Sequence, residues 1–207
     1  ALVETAKSGL GQVIDAAMTD GSALLMTMMF GMYSAGQWKD ERESNLLDGA
    51  AHFYGCYECK DGKYISIGSI EPQFYASLIE NMELDASKFS NQFDKNSWSN
   101  LKELIGLRFK EKTRDEWCKI FTGKDICFAP VLSLEESLNN QHNLDRETFV
   151  EVAGIKQPAP APRFSRTESE IKHPPLKVGS NTPEIIESLS SKIDVSVLTD
   201  QKIIRLD

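Results

Sequence analysis

The sequence has little of what marks a secreted, membrane-spanning or nucleic-acid-binding protein. Cysteine is sparse: Cys56, Cys59, Cys118 and Cys127 are scattered over 207 residues, which excludes a small disulfide-stapled scaffold. Cys56-x-x-Cys59 is half of a zinc pattern, but no second C-x-x-C follows and no His stands at ligand spacing, so no metal is expected. Long apolar runs are also missing. The longest, Ala23 to Met32, is too short for a bilayer and is interrupted by Thr27 and Gly31. No basic segment leads into an apolar core at the start, so no secretory signal is read. The first residue is Ala rather than Met, which is compatible with processing or truncation. Arg205-Leu206-Asp207 is not a peroxisomal tripeptide of the Ser-Lys-Leu kind. Positive charge is in deficit, with a net charge of -8, and the richest basic stretch, Arg108 to Lys112, is broken by Glu111. That argues against gripping a phosphate backbone. Together these absences predict an intracellular protein that binds neither nucleic acid nor membrane.

What is present suits a globular fold. The length allows one large or two small domains, and a hydrophobic content of 41% is enough for a core. Val13, Ile14, Ala17, Met18, Leu24, Leu25, Met28, Met29 and Met32 recur mostly at three- and four-residue spacing. They predict one long helix from Gln12 to about Gln37, apolar enough to be buried on several sides. The hydrophilic stretch Lys39 to Asn45 reads as an exposed connection.

A hairpin follows. Phe53–Cys59 and Lys63–Ile67 flank Asp61-Gly62, a strong turn signal, with Ile65 and Ile67 on one buried face. Pro72 is placed as the first residue of a helix carrying Phe74, Leu78, Ile79 and Met82. Further helices are predicted over Trp98–Phe109 and Arg114–Phe121, the second opened by a capping box at Thr113 and Glu116. Asp125 to Leu132 reads as a strand, and Ser133 with Glu136 forms another capping box that opens a short helix. Thr148–Val152 reads as a strand, Gln157 to Pro162 as extended chain, and Thr182 as the start of a last helix through Leu189.

The implied architecture is α+β. A central unit, residues 46–150, lies between a long helix with its linker, residues 1–45, and a Pro-marked C-terminal segment, residues 151–207. Neither arm can cover its own apolar surface, so both are expected to pack on other sequence or on a partner.

Several ordered segments resemble the α-methylacyl-CoA racemase branch of CoA-transferase family III. They are Gly11-Gln12-Val13-Ile14-Asp15-Ala16 with Met18 and Gly21, Asn45 to Ala50 with Phe53-Tyr54, and Ile70-Glu71-Pro72-Gln73-Phe74-Tyr75. Cys127 with Pro130-Val131-Leu132 and Ala161 to Thr167 follow in the same order. The resemblance implies the small domain of that family's fold, with the two arms belonging to a large α/β domain, in an interlocked homodimer. It implies an isomerase of fatty acid and lipid metabolism, inverting the α-carbon of 2-methyl-branched acyl-CoA thioesters. The substrate would bring its own CoA, and no other cofactor is needed. In a eukaryote the site of action would be cytoplasm, mitochondrion or peroxisome.

The family's proton transfer uses a His and an Asp, with a Glu supporting the His. The resemblance assigns that Glu to Glu71 and places the His and Asp upstream of Ala1, so this chain alone is expected to be inactive. The residues make Glu71 plausible independently: Pro72 biases it to extended backbone, and a helix N-terminus favours a carboxylate. A capping acid without catalytic duty is the bland alternative. Tyr54 and Ile70 are expected at the thioester pocket by resemblance. The methionines, Met28 and Met32 among them, read first as core packing and second as a malleable surface for a branched acyl chain. His52 stands where the family usually has Pro and reads as structural or exposed rather than as a substitute base; His142 and His173 receive no role. Asp48 reads as an Asx-type turn former. Two other functions compete, a CoA transferase of the same family and a non-catalytic binding or dimerisation fragment. The transferase branch usually carries a Gly-rich loop where Ile70-Glu71-Pro72-Gln73 stands here, which favours proton transfer.

Overall fold

Apolar residues from Ala51 to Ile126 supply one core in the computed structural model, which describes residues 1–189 and 195–204. The chain divides into two units, Ala1–Val131 and Leu132–Asp207. The fold is mixed α/β with two small sheets.

The first unit opens with α1 (Leu2–Ser8), ended by Gly9 at φ 75. Helices α2 (Met18–Leu25) and α3 (Thr27–Ser34) follow. The single helix expected from Gln12 therefore starts six residues late and is interrupted at Met26. Val13 and Ile14 are 97% and 65% exposed, so no packing offsets the unfavourable nucleation of a short helix. At the interruption Thr27 Oγ1 donates to Leu24 O at 2.6 Å, back-bonding of the kind that bends helices. None of these three helices carries a buried residue. The expected burial of this arm, with its methionines as core, is thus not met within the unit.

The connection expected to be exposed is so from Lys39 to Glu43, while Ser44 is half-buried and Asn45 closes it into the fold. Asn45 is buried: its Oδ1 accepts from Lys39 N at 2.8 Å and its Nδ2 donates to Lys39 O at 2.9 Å. Asp48 completes this clasp by accepting from Asn45 N, Asn45 Nδ2, Ser44 N and Ala50 N. The bond from Ala50 N makes it the turn former that the sequence suggested.

Strands β1 (Tyr54–Glu58) and β2 (Tyr64–Gly68) pair antiparallel with Cys56 opposite Ser66. Their five-residue connection has Gly62 at φ 73, with Gly62 N donating to Cys59 O. A residue with a Cβ is disfavoured at that left-handed position. After α4 (Pro72–Asn81), α5 (Trp98–Phe109) and α6 (Arg114–Phe121), strand β3 (Phe128–Val131) joins the other edge of β2, with Pro130 opposite Ile65. One face of this sheet presents Tyr57, Ile65 and Ile67 to the core. There Trp98, Leu101, Ile105 and Phe109 of α5 meet Trp117 and Phe121 of α6. Spacings of three and four residues put each set on one helix face. Full burial of each such side chain contributes roughly 1.5–3 kcal/mol. Thr113 and Glu116 form the expected capping box.

The second unit contains α7 (Leu134–Leu138), opened by the Ser133–Glu136 box, then α8 (Gln141–Asp145), capped by Asn140. Strands β4 (Phe149–Val152) and β5 (Ile155–Pro158) form a hairpin. Its turn residues Ala153 and Gly154 both have positive φ. Helix α9 (Thr182–Leu189) is not the last, because α10 (Val195–Asp200) follows. β-Branched Val195, Val197 and Thr199 hide α10 from a propensity reading.

Candidate functional site

The site forms where β2 gives way to α4. Pro72 at the first helical position lacks an N–H that the helix would leave unpaired anyway, and it holds Glu71 extended at φ -70 and ψ 142. Glu71 is the N-cap of α4, yet its side chain makes no capping hydrogen bond. It is exposed and forms no ion pair among the described residues.

The segment before Glu71 is held tightly. Gly68 N donates to Cys127 O at 2.9 Å and Ser69 N to Phe53 O at 3.0 Å. Buried Ser69 donates through Oγ to Ile126 O at 2.5 Å. Gln92 Nε2 donates to Ser69 O at 3.0 Å and Ile70 O at 2.8 Å.

Beside it, the outward face of the sheet is built from small side chains. Tyr54, Cys56, Ser66, Gly68, Cys127 and Ala129 line an open hollow of about 400 Å³. A Cβ on Gly68 would meet the Tyr54 ring at 3.6 Å, an ordinary van der Waals contact, so that ring lies against the strand. Cys127 adopts φ 57, an uncommon conformation for a residue with a Cβ. Its thiol is pushed up from its ordinary pKa by burial and then by the negative charges of Glu71 and Asp125.

Tyr54, Ile70 and Glu71 are thus gathered at one end of the β1–β2 ribbon. Met28 and Met32 lie apart from this hollow, on α3, Met28 being 56% exposed. A separate hollow of about 310 Å³ is lined by Met26 and Met29 with Phe30, Tyr33 and Trp38.

His52 is fully buried among Phe53, Tyr75 and Phe89, and burial pushes its pKa down to about 4. It is a core residue, remote in character from a base that must meet a substrate. Ser69 and Gln92 carry no motif or periodicity that would single them out in the sequence. Cys56 is exposed and Cys59 buried, and no group of three or more His, Cys, Asp or Glu among the described residues is arranged to hold a metal. No helix among them is long and apolar enough to cross a membrane.

The chain is 38% identical to the α-methylacyl-CoA racemase of Mus musculus over 211 residues, covering 100% of this chain and 55% of that protein. It is 37% identical to the Homo sapiens α-methylacyl-CoA racemase over 209 residues, covering 99% and 54%. The chain therefore spans about half the length of these relatives. A CaiB/BaiF family protein from Brucella suis superposes with a TM-score of 0.69 at 16% identity, over 91% of this chain and 51% of that one, a likeness of fold. Residues 1–182 match CoA-transferase family III, and the chain belongs to that family.

Proposed function

We propose that this chain supplies the small-domain part of an isomerase that racemises the α-carbon of 2-methyl-branched acyl-CoA thioesters. The observation that carries the reading is the carboxylate of Glu71, free of a capping hydrogen bond at the start of α4, just after the strand whose Gly68 lines the hollow. The relation to two racemases supports the reaction class.

The chemistry is a 1,1-proton transfer. A base removes the weakly acidic α-proton, the electron pair moves onto the thioester oxygen as an enolate, and an acid returns a proton to the opposite face. Such a step needs opposed acid and base groups, exclusion of water and donors aimed at the oxyanion. In this reading Glu71 accepts a hydrogen bond from a catalytic His, fixing its tautomer and stabilising its protonated form. That His and an Asp come from sequence outside these 207 residues, in an interlocked homodimer that brings the two parts together. Tyr54 and Ile70 flank the thioester, and Met28 and Met32 meet the acyl chain. No cofactor beyond the substrate's own CoA takes part, and the setting is intracellular lipid metabolism.

The test uses the complete polypeptide that carries this sequence. It should exchange the α-proton of a 2-methylacyl-CoA with deuterium from heavy water, and Glu71→Gln should lower turnover by about 10²- to 10⁴-fold, the range for a group supporting acid–base catalysis. Unchanged turnover would remove Glu71 from the mechanism. CoA exchange between acids without deuterium incorporation would indicate a transferase.

A further inference from the structure

Resting on the function proposed above, we propose that Gln92 is the residue that positions Glu71 for proton transfer. No hydrogen bond or ion pair among the described residues grips the Glu71 carboxylate, so its direction is set by its main chain. On the C-terminal side Pro72 restricts the Glu71 backbone to its extended form. On the N-terminal side the peptide joining Ile70 to Glu71 can still turn, unless its carbonyl is held. Gln92 holds it: Nε2 donates to Ile70 O at 2.8 Å and to Ser69 O at 3.0 Å. Both acceptors are carbonyl oxygens, so only the NH₂ end of the amide can face them and the orientation of the side chain is fixed.

The clamp is itself anchored. Gln92 is 8% exposed, and its own carbonyl accepts from Trp98 Nε1 at 2.8 Å. Trp98 begins α5 and is buried against Phe53. Gln92 therefore ties the peptide before Glu71 to a core helix, while Ser69 Oγ ties the preceding residue to Ile126 O. One residue from the loop between α4 and α5 thus sets the Cα–Cβ direction of a carboxylate that it does not touch.

A merely structural glutamine and a positioning one both affect folding, so the test is a double-mutant cycle in the complete polypeptide, read by deuterium exchange. Gln92→Met keeps the volume and removes both donors. A misplacement of this kind is expected to lower kcat by about 10- to 100-fold, with KM changed less than about threefold. In a Glu71→Gln background the same substitution should lower kcat by less than about twofold, since no carboxylate remains to be aimed. The thermal midpoint should fall equally in both backgrounds. If the two losses in kcat multiply, Gln92 does not act through Glu71 and the positioning role is overturned, with the racemase reading intact. If Glu71→Gln alone leaves kcat unchanged, the racemase reading falls and this inference falls with it. Gln92→Asn, whose amide stops one methylene short of the carbonyls, carries the same cycle if Gln92→Met does not fold.

Discussion

His52 Nε2 lies 2.7 Å from Tyr75 Oη inside the core, while His52 Nδ1 has no hydrogen-bond partner. Tyr75 has one proton, directed at Phe89 O at 3.1 Å. Nε2 is therefore the donor, and the ring is the neutral tautomer with a bare Nδ1. A second proton would have to sit on Nδ1, facing aromatic rings.

This makes stability depend on pH. Burial lowers the folded-state pKa of His52 from 6.5 to about 4, so the unfolded chain takes up the proton first. The stability is fully present above pH 6.5, is lost as pH falls from there towards 4, and changes no further below. The loss over that window is on the order of 3 kcal/mol. Urea midpoints at pH 7 and pH 5 should differ, and His52→Phe should remove most of that difference. Equal slopes in the two proteins would rule His52 out as the source.

Asp48 is pulled two ways. Burial alone would raise its pKa, but hydrogen bonds from Asn45, Ser44 and Ala50 outweigh it and hold the carboxyl below its ordinary range. Asp48→Ala should release Asn45 and destabilise the chain by about 1–3 kcal/mol, the cost of leaving buried partners unmade. The measurement is the urea midpoint at pH 7. A change of a few tenths would mean that the clasp holds without its carboxylate.

The thiols report on Glu71 without any substrate. Cys56 and Cys127 are exposed, whereas Cys59 is buried with its pKa pushed up to about 11 by burial and nearby acids. A disulfide reagent at pH 8 should label Cys56 and Cys127 in the native chain and reach Cys59 only on unfolding. Because the charge of Glu71 helps to raise the Cys127 pKa, Glu71→Gln should speed labelling of Cys127 and leave Cys56 unaffected. Equal rates at Cys127 in both proteins would separate the carboxylate from the hollow.

The central hairpin, α5 and α6 could be read from the sequence because their signals are local and agree with one another. Asp61-Gly62 supplies the turn, Ile65 and Ile67 the alternation, and Thr113 with Glu116 the cap. Local signals also gave the backbone of Glu71, since Gly68 ends a strand and Pro72 starts a helix within a few residues, but the role expected of its carboxylate came from the family resemblance and not from those signals. Gln92 was not legible. It sits in a polar loop, and its meaning comes from carbonyls more than twenty positions earlier in the chain. The stretch from Gln12 misled for the opposite reason: its apolar spacing is helical, but helix over Gln12–Ala17 requires packing that this unit does not provide. The β4–β5 hairpin was half hidden because Ala153 adopts a conformation that alanine seldom takes.

The imino acid at position 130 stands in an outer strand, opposite Ile65. Lacking an N–H, it withholds one rung from any ladder that a stray chain would try to extend along that border. The residue that faces Ile65 within the sheet thus leaves the free border a poorer template for a fourth strand.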